Sequence, residues 1–224
     1  MAINLEDKKK IINYLNKKYE EIDFGDLSEN TYLKKIKSLY YLDRKQIFLT
    51  IIEIYFSFLD VNFKSKIQEK IKKIDKTTDK ISYALSAKFQ IDEKYKELLK
   101  KIYIELIKSG NSHKILTYIY NIADLIWSLS NDKSTDFNYY TKRLILSLVY
   151  IKLIILFFNN KQFNFKILEL EIKKALQQAK ALSKFKLKLD FISNVNNFLK
   201  YFSKKKAEEN FKLILLSDPF FFFL

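Results

Sequence analysis

Apolar residues recur every three or four positions along most of this chain, which is the spacing of one face of an α-helix. The pattern predicts a succession of helices, over 5–22, 30–42, 43–59, 62–75, 78–89, 93–108, 112–130, 144–158, 163–182 and 187–202. Asp43 lies where it can cap the helix over 43–59. Gly110 lies where it can end the helix over 93–108 in a left-handed conformation. No internal repeat suggests a solenoid.

Three of these helices differ in how their apolar residues are distributed. The helix over 43–59 is apolar around most of its circumference, which predicts a central position in the amino-terminal half. The helix over 62–75 is rich in lysine and has a narrow apolar stripe, which predicts a surface helix. Residues 144–158 are the most apolar run, but these fifteen residues include Lys152 and fall short of the ~20 that a membrane span needs. A buried hairpin with the preceding helix is therefore expected.

The composition limits the fold class. With only two glycines and one proline in 224 residues, the chain lacks the turn residues of a sheet protein, so an all-α fold is predicted. Cysteine is absent, so no disulfide framework is needed. The first residues, MAINLEDKKK, have no apolar stretch of the kind found in a secretory signal, which leads us to expect a cytoplasmic location.

The formal net charge of +15 could attract nucleic acid or anionic lipid. The cations are nearly all lysines spread along the whole chain, and Arg44 and Arg143 are the only arginines. Arginine is the residue favoured for bidentate recognition of bases and phosphates. We therefore interpret most of the charge as solvated helix faces, and we do not expect nucleic acid as a partner.

Side chains for catalysis are scarce. His113 is the only histidine, so a catalytic triad or a histidine-rich metal site cannot be built, and no Glu-x-x-His pair suggests a di-iron site. Two glycines 85 residues apart cannot form a phosphate-binding loop. An enzyme is therefore not expected, and neither is a metal or cofactor. The many aromatic residues either fill the core or line a cavity that binds an apolar ligand.

Between two apolar helices lies an unusual mixture of hydroxyl, charged and aromatic side chains, in the segment IADLIWSLSNDKSTDFNYYTKRLILSLVY at residues 122–150. This segment closely resembles the hallmark region of the coenzyme Q protein nine family, whose members assist ubiquinone biosynthesis. The matching residues are Asp124, Trp127, Ser134, Thr135, Asp136, Phe137, Tyr140, Thr141, Lys142 and Arg143. Asn131 departs from the family pattern by replacing the turn glycine, and Tyr139 stands where many members have tryptophan. A weaker resemblance extends from residue 80 to about residue 182.

The resemblance implies a TetR-like helical bundle with three parts. These are a helix-turn-helix-like part at 1–75, a lipid-binding and partner-binding part at 76–185, and an amphipathic tail at 186–224. It further implies a non-enzymatic protein that binds isoprenoid quinone intermediates or phospholipid and presents quinone to the demethoxyubiquinone hydroxylase. The expected location is the cytoplasmic face of the membrane, and a homodimer is compatible with this fold. The alternative is a DNA-binding regulator of the TetR type.

The resemblance and the helical spacing together assign candidate roles to residues. Partner binding is expected of Tyr139, Lys142, Arg143 and Leu146, and capping and motif roles of Asp124, Ser134, Thr135 and Asp136. Lipid binding is expected of Trp127, Phe137, Tyr140, Leu144, Leu148 and Ile151, and membrane contact of Phe191, Val195, Phe198 and Phe202. The remaining alternative is that the motif serves stability alone, with Arg143 paired to Asp136 or Asp124 because a buried cation requires a partner.

Overall fold

The computed structural model describes residues 3–20, 22, 34, 36, 38–41, 43–134, 137–159 and 164–182, and this part of the chain is all-α, without a β-strand. Its helices are α1 (Leu5–Lys18), α2 (Arg44–Lys72), α3 (Thr77–Asp92), α4 (Lys96–Lys108), α5 (Ser112–Leu129), α6 (Phe137–Asn159) and α7 (Phe165–Leu182). A 3-10 turn over Glu93–Tyr95 joins α3 to α4. The all-α prediction is confirmed, whereas a TetR-like arrangement of the helices stays a prediction.

Helix α2 is one continuous helix of 29 residues, where the sequence pattern predicted two. It begins with a capping box in which the Asp43 carboxylate accepts from the Gln46 backbone amide at 2.7 Å, and the Gln46 side chain accepts from the Asp43 amide. The predicted surface helix over 62–75 is the carboxy-terminal part of α2 rather than a separate helix, and its narrow apolar stripe of Phe63, Ile67 and Ile71 is buried. The lysines between them lie on the outer side of a helix whose apolar stripe belongs to the core.

By length and composition, residues Gln46–Lys72 form the one helix of the described ranges that could cross a membrane. Core helices of soluble proteins meet the same criterion. In this fold the apolar side chains of the helix are used in packing: Ile51, Tyr55 and Leu59 are fully buried against the other helices.

Helix α3 occupies the centre of the bundle. It packs against α2, α5 and α7, and α5 packs in turn against α4 and α6. A single cluster of buried apolar side chains extends from Ile3 in the amino-terminal segment to Ala175 on α7. This arrangement places α5 between α2 on one side and α6 on the other, with a groove at each boundary.

The connection from α4 to α5 is a tight one. Gly110 has φ +73°, the left-handed conformation predicted for it, and the amides of Gly110 and Asn111 donate to the carbonyls of Ile107 and Leu106. These two bonds are those of a Schellman motif, which satisfies carbonyls at the end of a helix. Helix α5 can therefore start almost directly where α4 ends.

Candidate functional site

The turn after α5 uses an asparagine where the resembled family has glycine. Asn131 has φ +63°, and it ends α5 in a Schellman motif in which the amides of Asn131 and Asp132 donate to the carbonyls of Ser128 and Trp127. Asparagine enters the left-handed region more readily than most other residues. Asparagine can therefore make this left-handed turn without a glycine, and the turn places Asp132 at the start of the α5–α6 hairpin.

Arg143 lies at the centre of an ionic network that joins α5, the turn and α6. Its Nε donates to Asp124 Oδ1 on α5, and its Nη1 donates to Asp132 Oδ2 in the turn at 3.2 Å and to the Tyr139 carbonyl at 3.0 Å. The guanidinium also lies 3.3 Å from the centre of the Tyr139 ring, and the Tyr139 hydroxyl donates to Asp124 Oδ1 at 3.1 Å. Arginine can serve so many partners because its five donors form a rigid planar fork.

Lys142 extends this network on its outer side. Its ammonium donates to Asp132 Oδ1 at 2.7 Å and to the Ser134 hydroxyl at 3.3 Å, and it lies 5.1 Å from the centre of the Trp127 ring. Trp127 in turn donates from Nε1 to the Lys142 carbonyl at 3.1 Å. The tryptophan is thus tied to the first turns of α6 by both its ring and its polar atom.

The pKa shifts follow from these contacts. Burial alone would raise the pKa of Asp132, but hydrogen bonds from Lys142, Ser134 and Arg143 lower it to about 2. Burial would lower the pKa of Arg143, and the bonds to Asp124 and Asp132 raise it. The two carboxylates are balanced by two cations, an arrangement suited to holding two helices together rather than to proton transfer.

The predicted partner-binding residues divide into two groups. Arg143 and Leu146 are each only 3% exposed, so their assignment to an exposed partner surface needs correction. Arg143 is drawn inward by Asp124 and Asp132, and Leu146 faces the core. Tyr139 and Lys142 remain half-buried, and Tyr140, which packs edge-to-face on Tyr139, is 64% exposed.

An apolar groove of about 350 Å³ lies between α5 and α6. This α5–α6 groove is lined by Leu116, Thr117, Ile119, Tyr120, Leu144, Ser147, Leu148 and Ile151. Two of its hydroxyl groups are occupied, because Thr117 donates to the His113 carbonyl at 2.9 Å and Ser147 to the Arg143 carbonyl at 2.8 Å. The surface that a ligand would meet is therefore mainly hydrocarbon.

Three of the predicted lipid-binding residues, Leu144, Leu148 and Ile151, line this groove together. Trp127 and Tyr140 do not line it, and the side chain of Phe137 lies outside the described residues. The α5 wall, with Leu116, Ile119 and Tyr120, was not anticipated. The spacing of three and four along α5 was the signal that could have identified it.

Two of the predicted motif and capping residues, Asp124 and Ser134, belong to the ionic network. Asp124 accepts from Arg143 and Tyr139, and the Ser134 hydroxyl donates to Asp132 at 2.6 Å. Thr135, Asp136 and the four membrane-contact residues Phe191, Val195, Phe198 and Phe202 lie outside the described residues.

Residues 113–183 match the family model described as COQ9. This stretch is less than half of the chain, but it contains both walls of the α5–α6 groove and the complete ionic network around Arg143. No curated protein matches the sequence significantly.

Proposed function

We propose that this chain is a non-enzymatic accessory protein that binds an isoprenoid quinone intermediate and presents it to the demethoxyubiquinone hydroxylase, because residues 113–183 match the COQ9 family model. The match to this family supports a role in ubiquinone biosynthesis. Lipid binding and presentation to that hydroxylase are the part that we propose.

The α5–α6 groove is the single observation that carries this proposal. At about 350 Å³ it is at the small end of ligand pockets, which run from roughly 300 to 1,000 Å³. It can therefore hold a few isoprene units of a polyprenyl tail, with the rest of the tail outside. Each CH₂ group removed from water contributes about 0.8 kcal/mol to the free energy of binding. Burial of even a short stretch of the tail therefore favours binding.

The groove also lies beside a surface suited to a protein partner. Tyr140 precedes Leu144 by one helical turn, so the exposed tyrosine lies next to the end of the groove. With Tyr139 and Lys142 it forms the tyrosine surface, defined here as these three side chains. Aromatic residues are enriched at binding hot spots, and the guanidinium of Arg143 beneath Tyr139 fixes the ring without itself reaching the surface.

A polyprenyl quinone is almost insoluble in water, so the protein must collect it from a membrane. The net charge of +15 favours an anionic bilayer surface, and we propose a peripheral position on its cytoplasmic face. The amphipathic sequence over 187–202, with Phe191, Val195, Phe198 and Phe202, remains the predicted membrane-contact segment.

The experiment is complementation of quinone production in cells that lack the protein. Leu148→Gln changes the groove, and Leu156→Gln is a matched control on the same helix, because Leu156 is also half-buried but does not line the groove. We expect Leu148→Gln to reduce quinone production severalfold, while Leu156→Gln supports it nearly as well as the wild type.

The tyrosine surface is tested in the same cells. Tyr140→Asn should reduce quinone production and binding of the hydroxylase without loss of helicity. Tyr41→Asn is its control, because Tyr41 is 91% exposed and its φ of +53° is one that asparagine tolerates. Equal quinone production by these two variants would remove the tyrosine surface from the proposal.

A further inference from the structure

The two ends of the α5–α6 groove differ in polarity. The groove runs along a helical hairpin, and its lining residues nearest the connecting turn are Tyr120 on α5 and Leu144 on α6. The lining residues farthest from that turn are Leu116 and Ile151, which are both apolar. These two pairs mark the turn end and the far end of the groove. A lipid in the groove therefore meets hydrocarbon at the far end and a phenolic side chain at the turn end.

The hydroxyl of Tyr120 is available to a ligand. The other two hydroxyl groups of the groove, those of Thr117 and Ser147, donate to backbone carbonyls. Tyr120 is half-buried, and its hydroxyl has no hydrogen bond within the part of the chain that the structure describes. It differs from the Tyr118 hydroxyl, which is buried without a partner, because solvent still reaches it. A ligand can therefore take the place of that solvent without breaking a bond inside the protein.

Tyr120 lies beside the ionic network of the hairpin. It precedes Asp124 by one helical turn, on the same face of α5. The hydrogen bond to Asp124 is the main cause of the raised pKa of Tyr139, and the neighbouring Tyr120 hydroxyl adds a small part. Asp124, Tyr139 and Arg143 already bind one another. The charges at this end are therefore matched within the protein, and Tyr120 supplies a hydrogen bond that a ligand can use.

This arrangement favours an uncharged oxygen over an anionic head group. Two carboxylates, Asp124 and Asp132, are balanced there by two cations, Lys142 and Arg143. A carboxylate or phosphate group would find no unmatched cation in this network and would face the partly exposed Asp124. A hydroxyl or carbonyl oxygen needs only a donor, which a tyrosine hydroxyl provides.

We propose that the Tyr120 hydroxyl donates a hydrogen bond to an uncharged oxygen on the head of the lipid, and so fixes the head at the turn end and the tail toward the far end. The identity of the ligand as a lipid with such a head rests on the proposed function. In the reverse orientation the head oxygen would lie against Leu116 and Ile151, where no such donor faces it. The proposed orientation brings the head next to the tyrosine surface.

The length of the groove limits how much of the tail it covers. From Leu144 to Ile151 the groove spans about 10 Å, or roughly two isoprene units, because a helix rises 1.5 Å per residue. A geranyl chain therefore suits a test probe, since it fills the groove without a long remainder in water.

The test compares ortho-geranylphenol with geranylbenzene, which lacks the hydroxyl. Calorimetric titration of the full chain gives the ratio of the two affinities. We expect this ratio to be about fivefold higher in wild type than in Tyr120→Phe, as for one hydrogen bond between uncharged groups. The ratio is the right quantity because both probes make the same apolar contacts with the altered ring. Tyr83→Phe is the control, because Tyr83 is also half-buried but does not line the groove, and it should keep the wild-type ratio.

Orientation is measured on the wild type without a variant. Trp127 is the only tryptophan, and it lies on the turn side of Tyr120. Bromine quenches tryptophan fluorescence at short range. Ortho-geranylphenol brominated on its ring should therefore quench Trp127 more strongly than the same phenol brominated at the end of its tail.

The outcomes separate this inference from the proposed function. An affinity ratio that is equal in wild type and Tyr120→Phe, or that falls as far in Tyr83→Phe, overturns the role of Tyr120. Stronger quenching by the tail-brominated probe overturns the orientation. Each of these results leaves binding of the lipid tail, and with it the proposed function, intact. Failure of wild type to bind either probe overturns both.

Discussion

Arg143 on α6 donates from Nε to Oδ1 of Asp124 on α5, and the arginine is 3% exposed. This bond joins the two helices that form the α5–α6 groove. A guanidinium removed from water depends on such partners, and Asp132 supplies a second one from the turn. These contacts therefore join the two walls of the groove directly, without a ligand or a partner.

Replacing Arg143 should cost stability. Arg143→Gln leaves the buried Asp132 carboxylate without one of its two cations, and breaking a buried pair in this way costs about 3–5 kcal/mol. Because Asp124 is partly exposed and water can replace its lost bond, we expect about 2–3 kcal/mol here. Urea unfolding followed by circular dichroism measures the change.

The control is Lys72→Gln, which breaks an exposed pair with Glu69 and should change the free energy of unfolding by less than about 0.5 kcal/mol. If Arg143→Gln were as stable as wild type and lost only hydroxylase binding, Arg143 would be a partner-binding residue as first predicted from the sequence.

Asn131→Gly should stabilise the protein. Glycine adopts the φ of +63° at this position without steric cost, so the free energy of unfolding should rise by about 0.5–1 kcal/mol. Asn121→Gly, in the middle of α5, is the matched control and should lower it by about 0.3 kcal/mol, because glycine is a weaker helix former than asparagine. Thermal unfolding of both variants checks the sign; a destabilising effect at residue 131 would mean that the side chain, not the backbone, sets the turn.

Lowering the pH should destabilise the α5–α6 hairpin, because Asp132 becomes protonated. Its pKa is lowered to about 2 in the folded state, so its contribution to stability is present above about pH 4 and is lost as pH falls toward 2. Allowing for screening by solvent at this turn, we expect about 1 kcal/mol. Asp132→Asn should therefore be less stable than wild type at neutral pH and approach it below about pH 3; a constant difference across this range would contradict the assignment.

Asp60 should show the opposite pH dependence. Burial raises its folded-state pKa to about 6, so its contribution to stability is present below about pH 4 and is lost as pH rises through about 6. Asp60→Asn should match wild type in acid and be more stable by about 2 kcal/mol above pH 7. Paired unfolding curves at the two pH values measure this. Equal stability of the two proteins above pH 7 would show that the carboxylate is not penalised by burial.

Much of the fold could be read from the sequence because helical spacing and turn residues act locally. The cap at Asp43 and the left-handed Gly110 depend on neighbouring residues alone, and both were predicted. The predicted separation of the helices over 43–59 and 62–75 was wrong, because α2 continues through these residues to Lys72. The change from a broad to a narrow apolar face was taken for a boundary, although it reflects how many neighbouring helices cover each part of α2.

In the candidate site, too, the sequence predicted what depends on local spacing and missed what depends on the pairing of helices. Spacing placed Leu144, Leu148 and Ile151 on one face of α6, but the α5 wall opposite could not be assigned without the helix pairing. Arg143 was expected on a surface or paired with Asp136 or Asp124. The structure shows the pairing with Asp124 and a second partner, Asp132, whose position depends on the turn made by Asn131. A buried ion pair between Lys88 and Asp92 on α3, whose side chains are 0% and 5% exposed, was also not predicted, because charged residues on a helix are usually solvated.

Lipid content is the most direct test of the α5–α6 groove. The full chain would be purified without detergent exchange, and native mass spectrometry would measure the isoprenoid that copurifies with it. The same method would then measure binding of isoprenoid added to the purified protein. We expect wild type and Leu156→Gln to carry isoprenoid and Leu148→Gln to bind it about tenfold more weakly, since a polar side chain replaces apolar contact area. A wild-type protein that is free of lipid and binds no isoprenoid, or equal binding by the two variants, would contradict lipid binding in this groove.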